Sequence, residues 1–274
     1  MYTYDTLEKV PLHEMARCLN LAFSDYAVPV HLEETELPGF FAASGIEEKR
    51  SFGAFLDGRL IGFLFHACHP YQGQSAAFAV GAGVVPGHRG KGVFASLFAL
   101  AEQRLRQIST EAYYLEVLQQ NERAVALYER LGFSITRELA VLRAVANHNE
   151  PAAEGAAWAP FTGLDLAEGC RRARYSFEHS DHVLVLHPER YGVVYRKNDK
   201  ISAYCIFSKA DGSLCQLGYR SLEDLRKVVQ TLLERYGCIT AKNIDSDDAE
   251  VLDMLASLGF QTVVKQFEMV KRLQ

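Results

Sequence analysis

The chain has 274 residues, 49% of them hydrophobic, a formal net charge of −5 and a pI near 6.0. That size and apolar content suffice for the core of one large domain or two small ones, and the acidic balance excludes the broad basic field that a general nucleic-acid surface needs. No window of about 18 uncharged apolar residues occurs, and the opening MYTYDTLEKV lacks the basic and apolar regions of an export signal, so a soluble cytoplasmic protein without membrane partners is expected.

Taken in chain order, the first part carries the aromatic, acidic and proline-containing segment AFSDYAVPVHLEET. SFGAFLDGRLIGFLFHACHP then alternates about Asp57-Gly58, a dipeptide suited to two-residue hairpin turns. AAFAVGAGVV reads as the next strand. At its end stands VVPGHRGKGVF, which packs Gly87, Gly90 and Gly92 with Arg89, Lys91 and His88 at a strand-to-helix junction, where one glycine and no charge would do. Val93, Phe94, Leu97, Phe98, Ala101 and Leu105 recur at three- and four-residue steps and predict a helix with one buried stripe. AYYLEVL is another strand. Asn121 can cap a helix carrying Val125, Leu127, Tyr128 and Leu131, Gly132 ends it, and FSITRELAVLRAV supplies one or two closing strands.

Residues 146–163, ANHNEPAAEGAAWAPFTG, lack periodicity and read as a linker, which divides a domain at 1–145 from a second at 164–274. The second repeats the order: RYGVVYRKNDKISAYCIFSK as a hairpin about Asn198-Asp199, LEDLRKVVQTLLERY as a helix, and DDAEVLDMLASLGFQTVVKQFEMV as a capped helix and a strand. Aligning Gly132 with Gly259 sets Tyr128 against Leu255 and Asn121 against Asp248. An internal duplication is expected in which the second copy keeps the fold signals and lacks the chemistry: no glycine and cation cluster lies near Leu217 to Ser221, and no phenol stands at the Tyr128 position.

The six cysteines, Cys18, Cys68, Cys170, Cys205, Cys215 and Cys238, form no C-x-x-C pair and are assigned to packing. The pairs His66/His69 and His179/His182 have ligand-like spacing, but no second pair of soft ligands accompanies either, and no metal is expected.

Three phosphate-binding readings compete for the glycine stretch. A Walker A loop requires glycine where Val85 stands and a hydroxyl where Gly92 stands, and fails twice. A dinucleotide fingerprint is formally met by Gly90, Gly92 and Ala95, but the stretch follows an antiparallel hairpin, not an opening βαβ unit. The third reading is a nest: consecutive amides at a helix start, freed of Cβ atoms by glycine, converge on a diphosphate, with Arg89 and Lys91 adding charge.

VVPGHRGKGV resembles the V-x-P-x-x-R-G-x-G signature of the GCN5-related N-acetyltransferases, and LEVLQQNERAVALYERLGF is similar to their following strand and helix. The match is clear from Phe52 to Arg143; Tyr2 to Arg50 is similar to the family's variable substrate-side helices, and the residues after 164 to a degenerate second copy. The resemblance implies an α/β (α+β) fold: a mixed, mostly antiparallel sheet with splayed parallel strands, flanked by helices and duplicated. It implies acetyl-CoA as co-substrate without metal, held by Val84, Val85, His88, Arg89, Gly90, Lys91, Gly92, Val93, Phe94 and Asn121, although capping alone also explains Asn121. Phe94 departs from the small residue usual at its position; its ring either anchors the helix or crowds the phosphate.

Acetyl transfer to an amine needs a neutral amine and a proton for the leaving thiolate. Tyr128 stands at the family's acid position, though periodicity alone would make it an ordinary buried tyrosine. Many relatives carry a carboxylate on the strand before the glycine loop, and this chain does not; Glu116 in YYLEVL is the alternative. In acetyltransferases of ribosomal-protein N-termini, the glutamate of a similar L-E-V segment is the base. A salt-bridged glutamate, or a water relay, competes with that reading. By analogy Asp25, Tyr26 and His31 line a pocket for a small-molecule or peptide amine. A silent acyl-CoA-binding or interaction module is the competing function.

Overall fold

The computed structural model describes residues 1–26, 30–146, 156–161, 170–197 and 200–273. They form two compact units that interleave along the chain. Unit 1 comprises Met1–Glu116, Arg123–Ser134 and Met269–Gln274; unit 2 comprises Val117–Glu122 and Ile135–Glu268. Residues 135–145 thereby fall in unit 2 and Met269–Gln274 in unit 1, because long closing strands are placed by pairing rather than by position. Residues 147–155 and 162–169 of the linker region and its flank, and the expected turn at Asn198-Asp199, lie outside the described residues.

Unit 1 contains β1 (Tyr2–Thr6), α1 (Leu12–Ala22), α2 (Leu37–Ser44), β2 (Phe52–Leu56), β3 (Arg59–Tyr71), β4 (Gln74–Val84), α3 (Val93–Gln107), most of β5 (Ala112–Leu118) and most of α4 (Glu122–Arg130). Its strands run β1-β2-β3-β4-β5. All pair antiparallel except β4 and β5, which pair parallel from Ala76↔Ala112 to Ala79↔Leu115. Asp57 and Gly58 make the β2–β3 turn with φ of 49° and 78°. One face of the sheet packs Phe63 and Phe65 against Met15, Leu19 and Phe41 from α1 and α2. On α3, Val93, Leu97, Phe98, Ala101 and Leu105 are the buried stripe, and Phe98 stacks on Tyr113 of β5 at 4.9 Å between centroids. His66 of β3, wholly buried, hydrogen-bonds the Tyr113 phenol.

Unit 2 contains β6 (Ser134–Val145) from Ile135 on, β7 (Ala157–Pro160), β8 (Arg171–Arg172), α5 (Asp181–Leu186), β9 (Tyr191–Lys197), β10 (Ile201–Ser208), β11 (Leu214–Tyr219), α6 (Leu222–Tyr236), β12 (Cys238–Asp245), α7 (Ala249–Ser257) and β13 (Gln261–Arg272) to Glu268. FSITRELAVLRAV thus yields one strand. The strand order is β7-β9-β10-β11-β12-β6-β13, with β11 and β12 parallel at Leu214↔Ala241. Leu225, Val228, Val229 and Leu232 of α6 close the core over Phe207, Leu217 and Ile239. Arg137 of β6 is fully buried between Asp245 of β12 and Glu268 of β13, at 3.3 and 2.7 Å. The same succession, three antiparallel strands, helix, parallel strand, helix, strand, thus occurs twice. Even helix lengths agree, with 15 residues in α3 and in α6 and 9 in α4 and in α7.

Candidate functional site

In unit 1 the site begins where β4 and β5 part. The β3–β4 register slips between Phe65↔Gly81 and His66↔Ala79, leaving Val80 as a bulge in β4. A bulged residue bends and twists its strand. Parallel pairing with β5 stops at Ala79↔Leu115, and Gly81–Val84 continue paired to β3 alone. Among the described residues, no strand pairs with the edge of β4 that turned toward β5 beyond that point. Glu116 is the first residue of β5 past the fork and the one position of that strand that is not fully buried. Its placement at the parting strands accounts for a carboxylate in an otherwise apolar strand.

The glycine stretch joins the fork to α3. Pro86–His88 form one 3₁₀ turn, in which the His88 amide donates to Val85 O at 2.9 Å and the Arg89 amide to Pro86 O at 3.2 Å. Gly90 and Gly92 have φ of 74° and 75°, which a residue with Cβ adopts only under strain. A Cβ at Gly87, Gly90 or Gly92 would meet nothing within 4 Å, so crowding by protein is not what these glycines relieve. The first bond closing α3 runs from Ser96 N to Gly92 O. Among the described residues, the amides from Gly90 to Ala95 have no protein acceptor, a run of unsatisfied donors at the positive end of a helix of 15 residues. That donor set fits a diphosphate.

Two side chains of this loop are engaged within unit 1. The Arg89 guanidinium donates to Asp25 Oδ2 and Oδ1 at 2.7 and 2.9 Å, to Ala22 O at 2.7 Å and to Val84 O at 2.8 Å. His88 likewise spends its amide on Val85 and sets its ring against Tyr2, whose hydroxyl lies 3.2 Å from Nδ1. Both residues shape the loop from behind, while Lys91 is exposed and reaches Gly87 O at 2.9 Å. Val84 is buried and paired to Gly62, and the Val85 amide goes to Ile61 O. Val93 is the first buried anchor of α3. The Phe94 ring packs between Phe98 and Tyr128, with centroids at 5.9 and 6.1 Å, so it anchors the helix.

Tyr128 on α4 is half-buried between Phe94 and Phe133. Burial raises its phenol well above the ordinary tyrosine value, and the nearby Tyr26 phenol adds to that shift. Tyr128 is therefore a neutral hydrogen-bond donor throughout the physiological range. Asn121 stands immediately before α4 and donates its amide to Leu118 O at 2.9 Å.

On the opposite flank, Asp25 meets Arg89, and Tyr26 packs edge-on against Phe23 with centroids 5.1 Å apart. His31 is not joined to them; its ring is exposed and bonds Glu33 at 2.8 Å. The amide of Ala95 escaped sequence reading, although the rule that a helix leaves its first amides unpaired marks it. No local signal marks the Arg89–Asp25 pair, whose members stand 64 residues apart.

In unit 2 the register of β10 and β11 slips between Ile206↔Gln216 and Phe207↔Leu214, leaving Cys215 as the bulge, and β11 leaves β12 after Leu214. Here the edge beyond the fork is taken. Arg172 and Arg171 pair antiparallel with Gly218 and Tyr219, and Ala173 N donates to Leu217 O at 3.0 Å. Arg172 is tied to Asp181 and Gln216, and Arg171 to Glu250. Only Arg220 and Ser221 separate β11 from α6, whose first turn has Glu223 and Asp224, with the Asp224 amide capped by Ser221 Oγ at 3.3 Å. An acidic, capped helix start does not attract an anion. Among the described residues no helix is long and apolar enough to cross a membrane, and no group of acidic, histidine and cysteine side chains is arranged to hold a metal ion.

Residues 15–133 match the model of the acetyltransferase (GNAT) family. An uncharacterized N-acetyltransferase, YdgE of Bacillus subtilis (strain 168), is 32% identical over 79 residues, 29% of this chain, and the chain spans about half of that relative, 50%. Solved structures similar over 100% of this chain include a putative acetyltransferase from Pyrococcus horikoshii, with TM-score 0.70, 14% identity and 89% of that chain covered. A GCN5-related N-acetyltransferase from Sphaerobacter thermophilus gives TM-score 0.69, 15% identity and 96% coverage. A tandem GNAT protein from the clavulanic acid biosynthesis pathway gives 0.66, 12% and 99%, again over 100% of this chain. At these identities the likeness concerns the fold, which extends through both copies.

Proposed function

From the match of residues 15–133 to the acetyltransferase (GNAT) family, we propose that unit 1 transfers an acetyl group from acetyl-CoA to a primary amine of a small molecule or peptide, while unit 2 holds no acyl carrier. The observation that carries this reading is the run of acceptor-free amides from Gly90 to Ala95 beside the open edge of β4. Those amides would hold the diphosphate, with Lys91 near enough to add charge. The main chain of Gly81–Val84 would pair with the amide-bearing arm. When bound, acetyl-CoA supplies the activated acetyl group and a thiolate leaving group.

This chain's own groups move the protons. The acceptor arrives mainly as an ammonium with a pKa near 10.4, so it must lose a proton before its nitrogen can attack. Glu116, at the fork and shielded on one oxygen from solvent, takes that proton directly or through water. Tyr128, kept neutral by burial and oriented by Phe94 and Phe133, gives one to the departing sulfur, and the second proton that the nitrogen sheds on becoming an amide restores the phenol.

A second reading, a module that binds acyl-CoA without turnover, draws on Phe94 and on the absence of a carboxylate from β4. Thiol release from acetyl-CoA across an amine panel separates the two. Amine-dependent release supports the enzyme; calorimetric binding with no release under any amine supports the silent module.

A further inference from the structure

Resting on the reading of unit 1 as an acetyl-CoA-binding unit, we propose that Arg89 is a positioning residue for the acceptor side of the site, with Asp25 as its counterpart, and not a ligand of the diphosphate. The guanidinium has five N–H donors, and the bonds to Asp25, Ala22 O and Val84 O engage all three of its nitrogens. The Arg89 amide is spent on Pro86 O. Four of the five guanidinium N–H groups are thereby engaged, and the one left is on Nη1, whose other N–H is held by Asp25.

What these bonds hold is the end of α1. That helix has no basic residue in its last turn, so Arg89 supplies the cation there and a donor to Ala22 O, beside the Leu19 and Leu21 carbonyls that Phe23 and Ser24 already satisfy. Gly83 of β4 lies beneath: a Cβ there would come within 2.9 Å of Ala22 Cβ, so the helix end rests directly on the strand. Beyond Ala22 the chain is held twice more, by Phe23 against Phe63 at 6.2 Å and by Asp25 in a two-point bond to Arg89. Tyr26 follows at once and packs edge-on against Phe23, with centroids 5.1 Å apart. The pair thus fixes the turn after α1, which leads into Tyr26, to the loop that carries the amides. A lysine cannot reproduce it, because the two-point contact needs the planar fork of arginine.

The test compares Arg89→Gln, Arg89→Lys and Asp25→Asn in the full chain by CoA calorimetry, hydrogen exchange of the Phe23–Tyr26 amides, and steady-state kinetics with whichever panel amine turns over. The expected result is a CoA dissociation constant within about twofold of the parent in all three, against faster exchange and an amine KM raised about tenfold or more in each, as loss of a charge-assisted bond predicts. A tenfold weaker CoA affinity in Arg89→Gln with none in Asp25→Asn would make Arg89 a phosphate ligand and overturn the proposal. Unchanged exchange in Asp25→Asn, an exposed near-isosteric variant, would overturn it as well. Exchange needs no cofactor, so a parent chain that fails to bind CoA counts against the function and leaves this proposal to be decided by exchange.

Discussion

The ring of Phe94 stands edge-on to that of Tyr128, with centroids 6.1 Å apart and planes at 68°. Phe133 flanks Tyr128 at 5.9 Å and Phe98 flanks Phe94 at 5.9 Å, so the residue that breaks the family pattern orients the proposed acid. Phe94→Ala is expected to lower stability by about 1–3 kcal/mol, since the ring is only half-buried, and to lower kcat. Chemical denaturation and steady-state kinetics check both. A CoA affinity improved tenfold would show instead that the ring crowds the carrier.

Tyr128→Phe keeps the ring packing and removes the proton. It is expected to lower kcat by roughly 10²-fold with the CoA dissociation constant unchanged. Because the folded-state pKa is raised, the neutral phenol persists above pH 10, so the parent enzyme should show no loss of kcat from this group between pH 7 and about 10. A basic limb in that range that disappears in Tyr128→Phe would contradict the assignment.

His66 and His179 are buried and neutral, with pKa values pushed by desolvation down to about 3 and about 4. In the unfolded chain both titrate near 6.5. Below that pH the unfolded state binds protons that the folded state refuses, so stability is complete above about 6.5 and falls as pH drops, by about 1.4 kcal/mol per pH unit for each histidine. Urea denaturation at pH 7.5, 6.5, 5.5 and 4.5 measures the slope. His66→Gln should flatten it by about one proton, and an unaltered slope would count against a neutral buried imidazole.

Arg137 is fully buried beside two carboxylates of unit 2. Arg137→Ala leaves Asp245 with Arg174 alone and Glu268 without its two-point partner, and is expected to cost about 3–5 kcal/mol in denaturant unfolding. A cost below about 1 kcal/mol would mean that water enters the cluster.

Much of each copy was legible because it rests on local signals. The helix expected from LEDLRKVVQTLLERY is α6 residue for residue, the Asp57-Gly58 hairpin is present, and Gly92 leads into α3 as its periodicity implied. The interleaving of the units was not legible, because it depends on which distant strands pair; nothing in QTVVKQFEMVKR announces that its last residues join unit 1. The segment CITAKNID gave no strand signal, its pattern interrupted by Lys242 and by Asn243 at φ 57°. In the site, the open amides follow from glycine spacing and helix geometry. The bond between Arg89 and Asp25 does not, since its members stand 64 residues apart and no local pattern joins them.

Calorimetry of CoA against the parent chain and Gly92→Val tests the central claim most directly. Valine at φ 75° strains the turn that carries the amides of Gly90 to Ala95, while in unit 2 the β11 edge is paired with β8 and the proposal assigns it no carrier. The account predicts about one CoA per chain for the parent and at least about tenfold weaker binding for Gly92→Val. Two equivalents per chain, or equal affinity in the two proteins, would contradict it.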